Sequence, residues 1–557
     1  GTGATVSDLV VIVAYDVFSA ADTVSKADGG TFDNNINITG NLHITGTDTS
    51  DQIIIENTDA GTGTAPDVVL FRNSASPADN DAVGRIDFRG QDDGSNSKDY
   101  ATIFSNITDA TAATAAGSLS FQTRNGSNQA VRLFIGGDGS VSTPTLGTSN
   151  LALGVNAGNS IASGSNYNTV VGDEAGTAIT TGDFNTFIGY IAGDAIDTSS
   201  ENVAIGANSL TTDTKGSKSV AVGKGSLGSQ NFSSATDSHN TAVGYESGKD
   251  ISTGLQNTLI GSLAGDALTD ADFNVAIGVQ ALTTDRKGSK SVAIGHSALA
   301  LQDFQTSTDA ANVAIGFNAG GAITSATHNV AVGFQAMDAT NTGGFNVAIG
   351  RDALGGNTSG TNNTIIGGQA NQVGTAVSHN TMVGYGAGYN TTGSENTFIG
   401  RRSGAGAGEE VTSGAKNVII GGYNGNQSSI DIRTASNNIV LSDGDGNPRL
   451  HINGDGDVGI GVAGATQKLN VVQTSGNEIT ARFEHNAGSG PFGNAIQFTG
   501  AGPDNNSNYF LACSDPTAVR LKIFSNGNVN NANNVYGAIS DEKLKEQITD
   551  ASSQWED

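Results

Sequence analysis

Short apolar triplets alternate with glycine-rich polar stretches at a nearly constant spacing through the middle of the chain. A five-residue core close to Asn-(Val/Thr)-x-(Ile/Val)-Gly occurs seventeen times, from "NLALG" at residue 150 to "NIVLS" at residue 438. Ten of the sixteen intervals between cores are 17 residues long, and four are 21 residues long. The first core residue is Asn except at Ser219 and Ser291. A fixed period near 20 residues indicates one structural unit per repeat, stacked on its neighbours.

The repeat predicts one coil of a β-solenoid. A segment of 17 residues that contains two glycine turns leaves no room for helices. It does accommodate a short strand, a turn, a second short strand and another turn. Seventeen coils at about 4.8 Å each predict a rod on the order of 80 Å long.

The core strands carry apolar residues on both faces. The fourth core position is always Leu, Ile or Val, and we expect these side chains to stack in the coil interior. The third position is also apolar and points the opposite way. Its face therefore needs a second surface, most simply a copy of the same chain. Examples are Ile188, Ile205, Val222, Ile277 and Ile366 at the fourth position, and Phe187, Ala204, Leu259 and Met382 at the third.

Two further positions are nearly invariant. Stacked Asn residues at the first core position predict a hydrogen-bonded ladder, and the alternative is an Asn-lined binding stripe. Three residues after the core glycine, almost every repeat has Ala or Ser, which indicates a tight inner corner or the close approach of another chain. Examples are Ala157, Ala175, Ala192, Ser209, Ser226 and Ala281.

The flanks of the repeat carry a second type of module. The segments "VRLFIGGDGSV" (131–141), "RLHINGDGDV" (449–458) and "VRLKIFSNGNV" (519–529) each predict a β-hairpin with a glycine-rich turn. We expect small antiparallel β domains on both sides of a solenoid rod. The predicted division is an N-terminal attachment or linker segment (1–30), a β-rich domain (31–145), the rod (146–442), a connector (443–465), a second β-rich domain (466–539) and a terminal segment (540–557).

Composition excludes several classes of partner. Asp and Glu outnumber Lys and Arg by 54 to 26, for a formal charge of −28, so we expect neither nucleic acid nor anionic membrane as a partner. The apolar run Leu9–Tyr15 is too short to cross a bilayer, so no membrane insertion is expected. The single cysteine allows no intrachain disulfide framework.

Candidate chemical sites in the rod and connector are weak. Asp443, Asp445 and Asn447 have the spacing of the first calcium-loop ligands, but Gly454 stands where a bidentate Glu is needed. A hairpin turn is the simpler interpretation, and we predict no metal and no cofactor. Carboxylate pairs such as Asp270 and Asp272 lie in repeat turns, and nothing in the sequence places two carboxylates at a set separation beside aromatic platforms, as a glycosidase site usually requires. The seven histidines are scattered, and we expect them in turns and on surfaces.

The cores "SVAVG" at 219 and "SVAIG" at 291 resemble the head repeats of YadA-type trimeric adhesins. "NTFIGYIAG" at 185 and "NTLIGSLAG" at 257 are closer to arrays in phage and phage-like fibre proteins. The resemblance covers residues 146–442 and departs from the adhesin heads, whose coils are shorter. It implies an all-β, elongated homotrimeric fibre with a left-handed parallel β-roll, or β-solenoid, as its rod.

The terminal segment "SDEKLKEQITD" has Leu544 and Ile548 four residues apart and predicts the start of an amphipathic helix. Taken alone, this pattern favours a structural cap. "NNVYGAISDEKLKEQI" (533–548), however, resembles the junction at which phage tail fibres and endosialidases enter a C-terminal intramolecular chaperone. The resemblance implies single-turnover autoproteolysis in cis at the Ile539–Ser540 bond. Ser540 would be the nucleophile and Lys545 its base.

These features together predict a structural virion protein rather than an enzyme with turnover. The expected function is that of a homotrimeric phage tail fibre in host recognition. Its partners would be phage tail or other virion proteins at the N-terminal end and a host cell-surface glycan or protein receptor. The expected location is the virion, and the extracellular medium after release. A YadA-type bacterial surface adhesin and a polysaccharide-depolymerising tailspike remain alternatives.

Overall fold

The structure is a computed structural model of the 557-residue chain. It describes residues 41–42, 44, 53, 55, 66, 68–143, 145–402, 405–462, 467–472, 509–514, 517–526 and 528–531. Within these residues the chain forms strands and turns and no helix, which confirms the all-β prediction. Two compact units meet in sequence at Pro144 and Thr145, and each is described by itself below.

The described part of the first unit is one antiparallel sheet. Its strands are hydrogen-bonded in sequence order, as in a meander. The hairpin predicted for residues 131–141 is confirmed as the pairing of the last two strands. The strands are β1 (Ala82–Gln91), β2 (Ser97–Asp109), β3 (Ala116–Asn125), β4 (Asn128–Ile135) and β5 (Val141–Ser142).

This sheet is amphipathic because side chains alternate along each strand. Arg85 and Arg89 lie on one face, where Asp99 pairs with them at 2.9 and 2.7 Å. Ile86 lies on the other face, directly opposite Ile103 of the neighbouring strand. The charged face is thus satisfied by its own ion pairs, while the apolar face remains partly exposed.

The second unit begins with a solenoid of seventeen coils, each contributing one three- or four-residue core strand. Each core strand pairs parallel and in register with that of the next coil. Equivalent residues therefore lie directly above one another. The strands are Leu151–Leu153, Thr169–Val171, Thr186–Ile188, Val203–Ile205, Val220–Val222, Thr241–Val243, Thr258–Ile260, Val275–Ile277, Val292–Ile294, Val313–Ile315, Val330–Val332, Val347–Ile349, Thr364–Ile366, Thr381–Val383, Thr397–Ile399, Val418–Ile420 and Ile439–Ser442.

The third core position faces the coil interior, and the prediction that the fourth position does so is wrong. Phe187 and Ala204 are fully buried at the third position, whereas Ile188 at the fourth is 38% exposed. The physical reason is that other side chains, such as Leu210 and Leu282, are buried in the same interior and fill much of it. A small third-position residue therefore suffices in many coils, and the larger β-branched residues lie outside. Ile205, Val222 and Ile277 are half-buried, and Ile366 is exposed.

Two combinations of side chains recur in the interior. In some coils the residue four positions after the core glycine is Gly, and a large third-position side chain occupies the space. A Cβ on Gly265, for example, would lie 2.8 Å from side-chain atoms of both Leu259 and Leu268. In other coils the residue four positions after the core glycine has a long side chain, and the third core position is Ala. The buried pairs are Ala204 with Leu210, Ala221 with Leu227, Ala276 with Leu282, Ala293 with Leu299, Ala331 with Met337, and Ala348 with Leu354. A small residue occupies both positions in further coils, such as those with Ala242 and Gly248 or Ala314 and Gly320.

The turn after every core strand except the last, which ends at Ser442, begins with glycine. Gly278 has φ +136°, and a Cβ there would lie 2.5 Å from the carbonyl oxygen of Gly295 in the next coil. A side chain at this corner would thus separate the stacked coils. Three residues further on, Ala281 is completely buried in the coil. The small residue at this position therefore lines an inner corner, which was one of the two predicted alternatives.

The second strand predicted for every coil is present in only a few of the described coils. Gly216–Ser217 pairs with Thr236–Asp237, and Gly288–Ser289 pairs with Thr308–Asp309. Elsewhere this wall consists of turns that still bond from coil to coil, as Ala162 N–H does to the Thr180 carbonyl at 2.9 Å. Gly, Ser, Thr and Asn dominate these segments and favour turns over extended strands.

Hairpins follow the last coil. The predicted hairpin at 449–458 packs antiparallel on the final core strand and so ends the parallel stack. A separate antiparallel sheet confirms the hairpin predicted at 519–529. The strands are Pro448–Ile452, Val458–Ile460 and Leu469–Val471 after the solenoid, and Tyr509–Ser514, Val519–Phe524 and Val529–Asn531 in the separate sheet.

The shared interior volume predicts a coupling between Leu259 and Gly265. Leu259→Ala should cost about 2–5 kcal/mol of unfolding free energy through the cavity it leaves. Gly265→Leu should be destabilising because the space is full. In the double variant, truncation of Leu259 would vacate part of the space that the leucine introduced at position 265 needs, although Leu268 still borders it. The loss should therefore be smaller than the sum by about 0.5–3 kcal/mol.

Urea unfolding of the parent, both single variants and the double variant measures this coupling. The control cycle combines Gly265→Leu with Ile260→Ala, because Ile260 points out of the coil and is 39% exposed. That control cycle should be additive. Additive losses in the Leu259 cycle would contradict the proposed sharing of space.

Candidate functional site

The predicted autoproteolytic residues lie outside the described part of the chain. Ser540, Lys545 and the Ile539–Ser540 bond fall in the segment after residue 531, so their roles stay predictions. The same holds for residues 1–30 and for His43 and His485.

The outward faces of the core strands form one continuous apolar surface, here called the outer stripe. It consists of the second and fourth core positions, which share a face because side chains alternate along a strand. The second position is mainly Val or Thr. The fourth-position residues are Leu153, Val171, Ile188, Ile205, Val222, Val243, Ile260, Ile277, Ile294, Ile315, Val332, Ile349, Ile366, Val383, Ile399, Ile420 and Leu441.

Exposed large apolar side chains concentrate on this side of the solenoid. Between residues 145 and 442, all of them except Leu146, Leu301 and Val373 belong to the outer stripe or to the two columns of residues beside it. One column is formed by the residue before each ladder Asn or Ser, and the other by the residue after each core glycine. The remaining sides of the coils are mostly polar, so the solenoid is amphipathic across its width.

Aromatic rings stack along both flanking columns. Successive rings are nearly parallel, with interplanar angles between 8° and 15°. Stacked rings cover each other's faces and present mainly their edges to solvent. The stacks are Tyr167 on Phe184 at 5.0 Å, His328 on Phe345 at 4.8 Å, and His296 on Phe317 on Phe334 at 5.3 Å for each step.

The predicted Asn ladder is confirmed and runs inside the coils. The Asn257 side-chain oxygen accepts the Asn274 backbone N–H at 2.9 Å. Its amide nitrogen donates to the Ala271 carbonyl at 2.8 Å. One side chain thus bonds both to the next coil and to the returning backbone of its own coil. These Asn residues are buried, so they do not form a binding stripe.

Two glutamines maintain the ladder where Ser replaces Asn. Gln230 Nε2 donates to Ser219 Oγ at 2.8 Å, and its oxygen accepts from Asn240 Nδ2 at 2.9 Å. Gln302 makes the same two bonds to Ser291 and Asn312, at 3.1 and 2.8 Å. Both glutamines lie in 21-residue coils. The repeat pattern shows the Ser at the Asn position, but it does not show that a Gln elsewhere in the coil supplies the missing amide.

A buried carboxylate supports each of these glutamines. Asp213 is completely buried, and its Oδ2 accepts from Gln230 Nε2 at 2.6 Å. Its Oδ1 accepts the Gly216 N–H at 2.9 Å. Burial raises the pKa of the Asp213 carboxyl, and the bonds from Gln230 and the backbone oppose that rise. Asp285 and Gln302 repeat the arrangement at 2.5 Å. These buried carboxylates accept bonds from backbone and side-chain groups within the solenoid.

The candidate calcium residues form a hairpin turn. Asp443 Oδ1 accepts the backbone N–H groups of Asp445 and Asn447 at 3.1 and 2.8 Å, and Arg449 pairs with its Oδ2 at 2.5 Å. The Asn447 backbone bond, with help from Arg449, lowers the pKa of Asp443 to about 2. The ligand atoms are therefore engaged within the turn.

The candidate glycosidase carboxylates also have structural partners. Asp272 Oδ1 accepts the Leu255 backbone N–H at 2.7 Å, and Asp270 pairs with Lys287 at 3.5 Å. Across the described residues, no cluster of three or more His, Cys, Asp or Glu side chains could hold a metal ion. In the same part of the chain, no helix has the length and apolarity to cross a membrane.

The outer stripe, with its flanking columns, is the best candidate for a functional surface. Comparison with known proteins assigns it no role, since no family model, curated protein or solved structure matches the chain. The class that the fold defines is that of an all-β repeat protein built on a β-solenoid.

The ladder predicts a sharp contrast between two adjacent residues. Asn257→Ala removes the partners of the Asn274 N–H and the Ala271 carbonyl, and should cost about 1–3 kcal/mol of unfolding free energy for each. Gln256→Ala changes an exposed side chain of the preceding residue and should cost less than about 0.5 kcal/mol. Denaturant unfolding followed by circular dichroism measures both. Equal losses of unfolding free energy in the two variants would contradict a stabilising role for the ladder hydrogen bonds.

Proposed function

We propose that the chain is the rod-forming part of a homotrimeric tail fibre of a phage or a related virion appendage, which acts in host recognition. The observation that supports this best is the outer stripe. An unpartnered apolar surface along every coil is unusual for a monomer and typical of a chain that associates with copies of itself.

The size of the stripe supports association of whole rods. Seventeen coils at about 4.8 Å and a width of about four residues give a surface on the order of 1,000 Å² per chain. A stable protein interface needs about 800 Å² from each partner. The regular spacing of the coils would let copies pack side by side along their full length.

The number of copies and the biological setting rest on resemblance. The repeats resemble those of YadA-type heads and phage fibre arrays, which implies three chains. In this proposal the N-terminal end joins phage tail or other virion proteins, and the fibre binds a host glycan or protein receptor. The fibre would be found on the virion, and outside the host after release.

The proposal includes maturation at the C-terminal end. Ser540 would attack its preceding peptide bond with Lys545 as base, once per chain and in cis. Removal of an assembly domain would then leave associated chains that dissociate slowly.

Charge in the outer stripe should prevent association. The double variant Ile315→Asp and Ile349→Asp places two carboxylates per chain in the proposed interface, where burial of unpaired charge is costly. We expect a trimeric parent and a monomeric or strongly weakened variant by sedimentation equilibrium. Leu301→Asp with Val373→Asp is the matched control, because these residues are 53% and 45% exposed but lie off the stripe and its columns. A monomeric parent would contradict the proposal.

Maturation is tested separately on the full-length gene product. Intact-mass spectrometry of the parent should show cleavage between Ile539 and Ser540, and Ser540→Ala should remain uncut. Lys545→Arg should slow cleavage, because a permanently charged guanidinium is a poor base. Identical uncut masses for parent and variants would refute the autoproteolytic role and leave the association proposal standing. Incubation with host polysaccharide tests the depolymerase alternative, which predicts released oligosaccharide.

A further inference from the structure

The C-terminal end of the Asn ladder closes on a buried histidine. Asn438 is the last Asn of the ladder, and its Nδ2 donates to the Ser436 carbonyl and to Asn417 Oδ1, at 2.9 and 3.3 Å. Its own oxygen has no further coil to bond to. Instead, His451 Nε2 lies 3.0 Å from Asn438 Oδ1. Because the Asn438 nitrogen is committed, His451 must donate from Nε2–H.

His451 also continues the interior column of the solenoid. Its strand pairs antiparallel with the last core strand, and His451 lies directly opposite Val440, which is fully buried. The residue opposite it on the far side is Gly459. His451 itself is only 7% exposed. This location differs from the expectation that the histidines lie in turns and on surfaces, which holds for the exposed His239, His296, His328 and His379.

The second ring nitrogen of His451, Nδ1, is buried with neither a hydrogen-bond partner nor a counter-charge among the described residues. The two packed strands, Ile439–Ser442 and Val458–Ile460, contain no ionisable residue. Charged residues of the hairpin and of the preceding coil form ion pairs or are exposed. Asp443 pairs with Arg449 at 2.5 Å, Asp457 with Lys468 at 2.8 Å, and Asp431 with Arg433 at 2.8 Å, while Asp445 and Asp455 are exposed in the turns. A proton on Nδ1 would therefore create a cation with no counter-charge and an unsatisfied N–H.

We propose that His451 is a pH-sensitive latch, which holds the terminal hairpin (residues 443–462) on the solenoid when neutral and releases it when protonated. The hairpin covers the last core strand, which would otherwise expose unpaired backbone groups at the end of the stack. Release of the latch would open this edge to pairing with another strand. This inference does not depend on the proposed function.

The direction of the pH effect follows from burial. Burial lowers the pKa of His451 below its ordinary value of 6.5. The open hairpin, with an exposed imidazole, thus binds the proton more tightly than the closed one. The latch is fully effective above about pH 6.5 and weakens as the pH falls toward the pKa of the closed form.

Amide hydrogen exchange of the whole chain at pH 7.5, 6.5 and 5.5, corrected for intrinsic exchange, tests the latch. In the parent, the opening equilibrium of peptides within 438–462 should rise below pH 6.5, by up to about tenfold per pH unit. Peptides around Val275–Ile277 should show no such rise. His451→Gln retains a donor at the position of Nε2 without a titrating ring, and its opening should not depend on pH. His379→Gln, at an exposed position, should behave as the parent does.

A parent hairpin whose opening is independent of pH would overturn the proposal, and so would an equal pH dependence in His451→Gln. If the hairpin of that variant is open at every pH, a titration of the parent protein alone still tests the proposal. Its ¹³C-labelled histidines can be titrated by NMR, with the His451 signal assigned by its loss in the variant. The latch requires a neutral Nε2–H tautomer well below pH 6.5, and an ordinary titration near 6.5 would refute it.

Discussion

Coil-to-coil alignment by buried Asn side chains is the interaction on which the rest of the solenoid depends. Each ladder Asn before Asn438 bonds to the backbone of the next coil and to the returning backbone of its own coil, as Asn257 does with Asn274 and Ala271. Both bonds are buried, so water cannot substitute for them if a coil slips. The ladder therefore fixes the size and register of every coil. Gln230 and Gln302 show that its continuity matters more than the identity of the residue, since they bridge the two positions that lack an amide.

Stacked coils share one interior, and neighbouring coils fill it differently. Leu259 with Gly265 and Ala276 with Leu282 are two such solutions in neighbouring coils. Polar residues also take part in this filling. The coils with Leu210 and Leu282 have Asp213 and Asp285 at a position where several other coils have Ile or Leu. These carboxylates accept several N–H groups and anchor the bridging glutamines. The buried polar side chains of the solenoid are thus part of its packing.

Sequence periodicity was sufficient to predict the solenoid, its number of coils, the Asn ladder and the flanking hairpins. Each of these follows from spacing, which stacking preserves. The orientation of the core strand could not be predicted, because both faces are apolar and hydrophobicity alone favours the larger Ile205 over Ala204 of the same strand as the interior residue. The deciding quantity is the space left by other interior side chains, such as Leu210. Likewise, the burial of His451 depends on its strand lying over Val440, a contact that no local pattern encodes.

The outer stripe and the ends of the solenoid have different physical properties. The stripe repeats nearly the same Val, Thr and Ile side chains at every coil, so two copies that pack through it gain similar contacts when one is displaced by a whole coil. Such a surface supplies affinity without a unique alignment. Alignment requires features that occur once, and the terminal hairpin with His451 is one of them, as is the amphipathic sheet of β1–β5. In the proposed assembly, the repeated part of the chain would therefore determine how strongly copies associate, and the parts on either side would determine in which register they do so.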